Sequence, residues 1–359
     1  MTKKISTHTN PLYTLGELYK SENFKKWYSE NTISFKKYRN NWINRPTNSE
    51  YGDFPLSLNI EITTKCNLAC TFCWHSSLKE EEKIHLEFDD FKKIIDEASN
   101  FKIPSINLNG LGEPITHPRL LEMIEYCKSK GVQDIMFHTN GTKLSEKRIR
   151  ALINSGLTQI IFSLDTPDKK TYEKVRIGAN FDNVNSNVEE FIKIKKKMKL
   201  VLPLVRVTMV LTDETIDQVQ EFKKKWKDKA DHITTQELLF SSDVIESSEE
   251  SISWKSKEKS YYSVDKKELL EYEKKRGIGF KCPYLYQSLK IKSDKTVVAC
   301  SPRNAPKLGK LEDGLSSIWN NKKINNLRKL HESGQWYKVK ECVSCDIPFI
   351  EINKIKNNN

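Results

Sequence analysis

The stretch "LSLNIEITTKCNLACTFCWHSS", Leu56–Ser77, decides the fold. Its first seven residues alternate in polarity as a β-strand does. The strand runs into Cys66, Cys70 and Cys73, three thiols within eight residues. In parallel α/β sheets, function collects at the carboxyl ends of the strands. The residues downstream should therefore continue as strands and helices in turn, with unusual residues after each strand.

They do. "FDDFKKIIDEASNF" carries apolar residues at helical spacing, and "SINLNG" is a short strand closed by glycine. "RLLEMIEYCKSKG" is a helix with lysines in its last turn and Gly131 as its stop. "DIMFHTNG" is a strand ending in a turn. "SEKRIRALINSG" is a helix with a serine cap and a glycine stop. "QIIFSLD" is the fourth strand. Helices near 169–175 and 183–199 follow, then strand "PLVRVTMVLT", helix "TIDQVQEFKKKWKD" and strand "HITTQELLF". Six strands with helical crossovers predict an α/β fold: a parallel sheet covered by helices, closing part of a (β/α)6 barrel. The cysteine loop, "GLGEP", "HTNGT" and "SLDTP" each fall directly after a strand.

The chain has 359 residues, enough for one large domain and a smaller one. No run of 18 apolar residues occurs, so no membrane span is expected. The start, "MTKKISTHTNPLYTLGELYK", lacks the apolar core of a signal peptide, which predicts a cytoplasmic protein. Net charge is +12. The densest basic run, "FIKIKKKMKL" at 191–200, reads as a solvated helix face, and no nucleic-acid motif accompanies it.

Eight cysteines fall in groups: three early, four late, and Cys127 between them. Grouped thiols in a reducing compartment point to metal rather than disulfides. Cys127 follows Leu120 and Ile124 at helical spacing and reads as a core residue. Three thiolates can hold zinc with a fourth ligand, for which His75 is at hand. They can instead hold three irons of a [4Fe–4S] cluster, leaving one iron open to a chelating ligand.

"CNLACTFC" is Cys-x3-Cys-x2-Cys with the aromatic Phe72 before the third cysteine. It resembles the cluster loop of the radical S-adenosylmethionine superfamily, and the likeness extends from about Leu56 to Leu239. "GLGEP" resembles that family's Gly-Gly-Glu-Pro segment, with Leu111 in place of the first paired glycine. The resemblance implies that Gly112 and Glu113 hold the amino group of S-adenosylmethionine, and that Phe72 lies at the cofactor. It implies that His138, Thr139 and Asn140 lie near the ribose and sulfonium. Ser163, Asp165 and Arg176 match the next family segment, Ser163 and Arg176 as partners of the methionine carboxylate. It further implies that the reduced cluster cleaves the sulfonium to a 5′-deoxyadenosyl radical, which takes hydrogen from a substrate C–H bond.

Cys282, Cys300, Cys342 and Cys345 form the second group. Four cysteines can satisfy a whole cluster; a four-cysteine zinc site is the alternative. The segment resembles the SPASM/twitch modules that follow many radical S-adenosylmethionine cores, which implies a second, auxiliary [4Fe–4S] cluster. One departure is "SDKTVVAC", where Lys295 or Thr296 stands at a turn that commonly holds glycine.

The expected organisation is an N-terminal extension (1–50), a radical S-adenosylmethionine core (51–240), a linker or mobile loop (241–279), and a small C-terminal α+β auxiliary-cluster domain (280–359). The expected activity is an oxidoreductase acting on a small metabolite such as a sugar or cyclitol. A peptide maturase, an epimerase, and a non-catalytic iron–sulfur or zinc protein are the alternatives. The expected partners are a small-molecule or peptide substrate and a reductant such as flavodoxin or ferredoxin, with no nucleic acid and no membrane.

Overall fold

The computed structural model describes residues 22–30, 32–237, 266–276, 280–301 and 304–357. Two helices lead the chain, α1 (Glu22–Glu30) and α2 (Thr32–Asn48). Strands β1 (Ser57–Ile60), β2 (Ser105–Asn107), β3 (Asp134–Thr139), β4 (Gln159–Ser163), β5 (Leu204–Leu211) and β6 (His232–Glu237) then pair in chain order, all parallel. Between them run α3 (Phe88–Asn100), α4 (Leu120–Ser129), α5 (Glu146–Asn154), α6 (Lys169–Val175), α7 (Phe181–Lys197) and α8 (Val219–Trp226). The partial six-stranded barrel is therefore present.

Side-chain alternation divides the sheet. Leu58, Ile106, Ile135, Phe137, Ile160, Val205 and Val207 join the crossover helices in one continuous core. Cys127 is fully buried there, as its spacing predicts. The alternate positions include Asn59, Asn107, His138, Arg206 and Thr208, so the other face is largely polar. Helix starts are fixed locally: Ser145, Asp168 and Asn180 each accept a backbone N–H at the head of α5, α6 and α7.

The described part of the N-terminal segment, 22–30 and 32–50, packs onto the core. Trp27, Phe35, Tyr38 and Trp42 pack with Leu56, Met136, Ile161 and Leu204 at the strands' amino ends. Trp27 meets Phe35 edge-on at 4.4 Å, and such pairs add about 0.5–1.5 kcal/mol beyond their buried area.

The C-terminal part also differs from expectation. β7 (Ser288–Ile291) pairs parallel to β1, and β8 (Thr296–Val298) and β9 (Lys307–Lys310) follow antiparallel. The result is one nine-stranded sheet, ordered β6-β5-β4-β3-β2-β1-β7-β8-β9. The auxiliary module is thus a continuation of the core sheet. Lys295 occupies the turn position that commonly holds glycine, with φ +66°. The segment read as a linker contains α9 (Lys266–Arg276), whose Leu269 is buried with Trp336, Ile347 and Phe349. That burial packs α9 against the C-terminal segment; positions 241–265 and 277–279 of the expected linker lie outside the described residues.

Among the described residues, no helix is long and apolar enough to cross a membrane.

Candidate functional site

All eight cysteines are free thiols. Cys66, Cys70 and Cys73 lie half-buried on the loop after β1. That loop is tied on two sides. Ala69 N–H donates to Ile177 O and Thr71 N–H to Val175 O, which binds it to the end of α6. Asn67 accepts from Asn140 Nδ2 at 3.1 Å and donates to Thr142 Oγ1 at 2.8 Å, which binds it to the turn after β3. His75 is buried, with Nε2 2.9 Å from Thr64 O, so that nitrogen is engaged away from the thiols. Burial pushes all three thiols upward, Cys73 to about 11. Thiols in such a place ionise when a metal displaces the proton.

"GLGEP" follows β2 and packs against the same loop. Gly112 N–H donates to Thr63 O at 3.2 Å and Glu113 N–H to Lys65 O at 2.9 Å. A Cβ on Gly112 would stand 2.5 Å from Lys65 O and 2.6 Å from Thr63 O, both backbone atoms. Gly112→Ala is expected to destabilise by about 1–3 kcal/mol through overpacking, and to shift the cysteine loop. Thermal unfolding and a S-adenosylmethionine titration check this; an unchanged midpoint and affinity would contradict it. Since an ammonium needs an acceptor, any hold Gly112 has on it falls to its carbonyl. Leu111 N–H donates to Glu61 Oε2, and a Cβ on Gly110 would lie 2.2 Å from Glu61 Cγ, so Gly110 as well as Gly112 is needed for close approach.

Glu113 is buried. Its Oε1 accepts from Thr139 Oγ1 at 2.8 Å and Ile115 N–H at 3.1 Å, and its Oε2 accepts from Asn140 N–H at 2.7 Å. Burial raises its pKa, opposed by those donors. Thr139 and the Asn140 backbone therefore orient Glu113, and the Asn140 side chain fastens the cysteine loop. His138 falls one inward step below Asn140 on β3, and its Nε2 has no hydrogen-bond partner.

Asp165, at φ +54°, is completely buried. Its Oδ1 accepts from Val210 N–H at 2.9 Å, and its Oδ2 holds Arg176 Nε at 2.5 Å. Arg176 reaches from there to 3.8 Å from Cys70 Sγ, and its guanidinium lies 5.7 Å from the Phe72 ring centroid. Burial alone would lower the Arg176 pKa, but Asp165 and Cys70 more than offset it. Ser163 is half-buried at the end of β4, beside Thr208. The early segments thus converge on the cysteine loop, with Asp165 acting through Arg176.

Cys282, Cys300, Cys342 and Cys345 line one apolar pocket with Phe280, Ala305, His331 and Ile347. His331 Nε2 lies 3.5 Å from Cys342 Sγ. Burial pushes the Cys282 thiol up to about 12. A single zinc draws its ligands to about 2.0–2.3 Å of one point. Among the described residues no group of three or more His, Cys, Asp or Glu is arranged to hold one metal ion. Four thiols lining one pocket can supply every protein ligand of an iron–sulfur cluster.

A cleft of about 800 Å³ is lined by chain neighbours of both thiol sets, with no cysteine in its lining. Trp74, next to Cys73, and Leu111 line one side; Ala305 and Glu341 line it and also the four-cysteine pocket. Glu61 and Lys290 also line it. The sequence reading missed both, together with Asn67 and His331. Asn67 and Glu61 sit inside the opening stretch itself, so their positions were a signal; Lys290 is brought in by β7 and His331 by a C-terminal helix.

Residues 60–225 match the family model described as Radical SAM superfamily, and residues 282–346 match SPASM, an iron–sulfur cluster-binding domain. A probable GTP 3′,8-cyclase of Methanococcus maripaludis is 32% identical over 169 residues, covering 47% of this chain and 54% of that protein. The mycofactocin maturase MftC of Mycolicibacterium smegmatis is 28% identical over 170 residues, covering 47% of this chain and 41% of that protein. The chain thus spans about half the length of the curated relatives it matches. The structure of Streptococcus suis SuiB bound to S-adenosylmethionine superposes with a TM-score of 0.59 at 19% identity, covering 85% of this chain and 75% of that one. The first domain brings a [4Fe–4S] cluster and S-adenosylmethionine, the second further iron–sulfur binding, and an enzyme replaces the non-catalytic alternative. Residues 60–225 thus form a radical S-adenosylmethionine domain and residues 282–346 a SPASM domain.

Proposed function

We propose that the protein is an oxidoreductase that removes hydrogen from a C–H bond of a small metabolite, such as a sugar or cyclitol, held in the cleft lined by chain neighbours of the two thiol sets. The carrying observation is that one cleft touches Trp74, beside Cys73, and also Ala305 and Glu341 of the four-cysteine pocket. A substrate there is exposed to hydrogen abstraction on one side and to an electron acceptor on the other. When bound, the first cluster and S-adenosylmethionine supply reductive cleavage of the sulfonium to a hydrogen-abstracting 5′-deoxyadenosyl radical.

The chain's own residues do the rest. Cys66, Cys70 and Cys73 would hold the first cluster. Glu113, fixed by Thr139 and Asn140, presents a carboxylate to the cofactor's ammonium. Arg176, oriented by Asp165, presents its guanidinium to the cofactor's carboxylate, with Ser163 alongside. Cys282, Cys300, Cys342 and Cys345 would hold the auxiliary cluster with protein ligands alone, which suits electron transfer. Cys127, the cysteine outside both sets, is buried in the core and is not among the residues that line the cleft, which favours oxidation over epimerisation in this reading. A flavodoxin or ferredoxin supplies the electron, and eight free thiols suit the cytoplasm.

The test is to incubate the reconstituted protein with metabolite extract and deuterated candidate polyols. Deuterium in 5′-deoxyadenosine together with a ketone product supports the reading. A second reading, peptide maturation, draws on the cleft's size and its charged lining. Deuterium transfer from a peptide, with a mass change in that peptide, would replace the first reading with it.

A further inference from the structure

The cleft has a charged floor that its own residues satisfy unevenly. Lys290 comes from β7, next to β1, and is 8% exposed. A buried ammonium has three N–H donors to place. Its Nζ lies 3.9 Å from Glu61 Oε2 and 3.4 Å from Ser301 O, both long for hydrogen bonds. Burial pulls the Lys290 pKa down and Glu61 only partly restores it.

Glu61 is the better satisfied partner. Its Oε2 accepts from Leu111 N–H at 3.0 Å and its Oε1 from Ser293 N–H at 3.3 Å. Two other acids of the cleft are engaged by backbone donors: Glu82 by Lys79 N–H and Asp294 by Thr296 N–H, each at 2.9 Å. Glu81 and Glu341 complete the acids. Three further lysines face the same space, Lys292, Lys307 and Lys340. Among the described residues no carboxylate stands within ion-pair distance of any of these three. The lining holds five carboxylates and four lysines, and Lys290 is the buried lysine whose donors are met only at long range.

Resting on the reading of this cleft as the substrate site, we propose that the substrate carries a carboxylate or a phosphate, and that Lys290 at the cleft floor receives that anion. An anionic oxygen on Nζ would take up the donors that Glu61 and Ser301 reach only at long range. It would also anchor the substrate beside Ser301, next to Cys300, with Lys292, Lys307 and Lys340 drawing it in from the rim. Lys290 is a specificity-determining residue in this account. The hydrogen that reacts lies elsewhere on the substrate.

The test uses the full chain with both clusters reconstituted and chemically reduced, so that they are paramagnetic. Inorganic phosphate is titrated and its ³¹P relaxation followed; in a parallel arm, [1-¹³C]acetate is titrated and its carboxyl relaxation followed. Saturable enhancement in the phosphate arm alone indicates a phosphate ester, and enhancement with acetate indicates a carboxylate; both support the proposal. Lys290→Met at equal iron content is expected to weaken the binding at least ten-fold, while Lys290→Arg retains most of it. Should Lys290→Met lose iron, the double variant Lys307→Glu with Lys340→Glu, both on the exposed rim, is expected to weaken it three-fold or more. No enhancement in either arm, or enhancement indifferent to these changes, overturns the proposal. So does a Lys290→Met protein whose auxiliary reduction potential moves while anion affinity stays. 5′-Deoxyadenosine is measured on the same wild-type samples. Its absence with anion binding intact would sink the catalytic reading alone; its presence without anion binding would sink only the assignment of Lys290.

Discussion

Cys73→Ala protein forms no 5′-deoxyadenosine and retains about half of the wild-type iron, if each of two clusters holds four irons. Cys66, Cys70 and Cys73 sit together on one loop whose two sides are fastened to α6 and to the turn after β3. With three thiols there is no spare ligand, so losing one leaves two, too few to retain a cluster. His75 does not step in, because it is buried with Nε2 against Thr64 O. The matched control is Cys342→Ala, which breaks the auxiliary set and leaves uncoupled cofactor cleavage measurable. Chromatography of the nucleoside products and iron analysis check both. Cleavage that survives Cys73→Ala would remove the assignment of the first site.

The second large effect is expected at Asp165. Its carboxylate supports Val210 N–H and holds Arg176 at 2.5 Å, and both charged side chains are buried. Removing one partner of such a pair strands the other charge, which costs about 3–5 kcal/mol. Asparagine tolerates the left-handed backbone at φ +54° and keeps the side-chain shape, so Asp165→Asn isolates the charge. Asp165→Asn is expected to lower unfolding stability by about 3 kcal/mol and to weaken S-adenosylmethionine binding at least ten-fold. Arg176 loses its orientation beside Cys70 in that variant. Denaturant unfolding and a cofactor titration measure the two effects. A variant as stable as wild type with unchanged cofactor affinity would contradict the positioning role.

Much of this was legible in the sequence, for physical reasons that can be named. Alternation marked β1 and β3 because one sheet face meets helices and the other is largely polar. Ser145 marked the start of α5 because its hydroxyl accepts the Arg148 N–H. Cys66, Cys70 and Cys73 were legible because ligand spacing is local. What depended on distant contacts was not. "SLKI" is four residues long, and nothing in them says that they return beside β1. The aromatics of α1 and α2 look like surface residues until Leu56, Met136 and Ile161 are placed against them. Asp165 has the residue type of a ligand, but its two oxygens are taken by Val210 and Arg176, partners 45 and 11 residues away. Lys290 is one of many lysines in the sequence; only burial against Glu61 sets it apart.

The central claim is that three thiols hold a cluster whose remaining iron takes S-adenosylmethionine directly. Electron–nuclear double resonance on the reduced, oxygen-free protein tests it, using cofactor labelled with ¹⁵N at the methionine amino group. A ¹⁵N hyperfine coupling to the cluster, lost in Cys73→Ala and kept in Cys342→Ala, is the expected result. A cluster signal indifferent to the labelled cofactor would contradict the account.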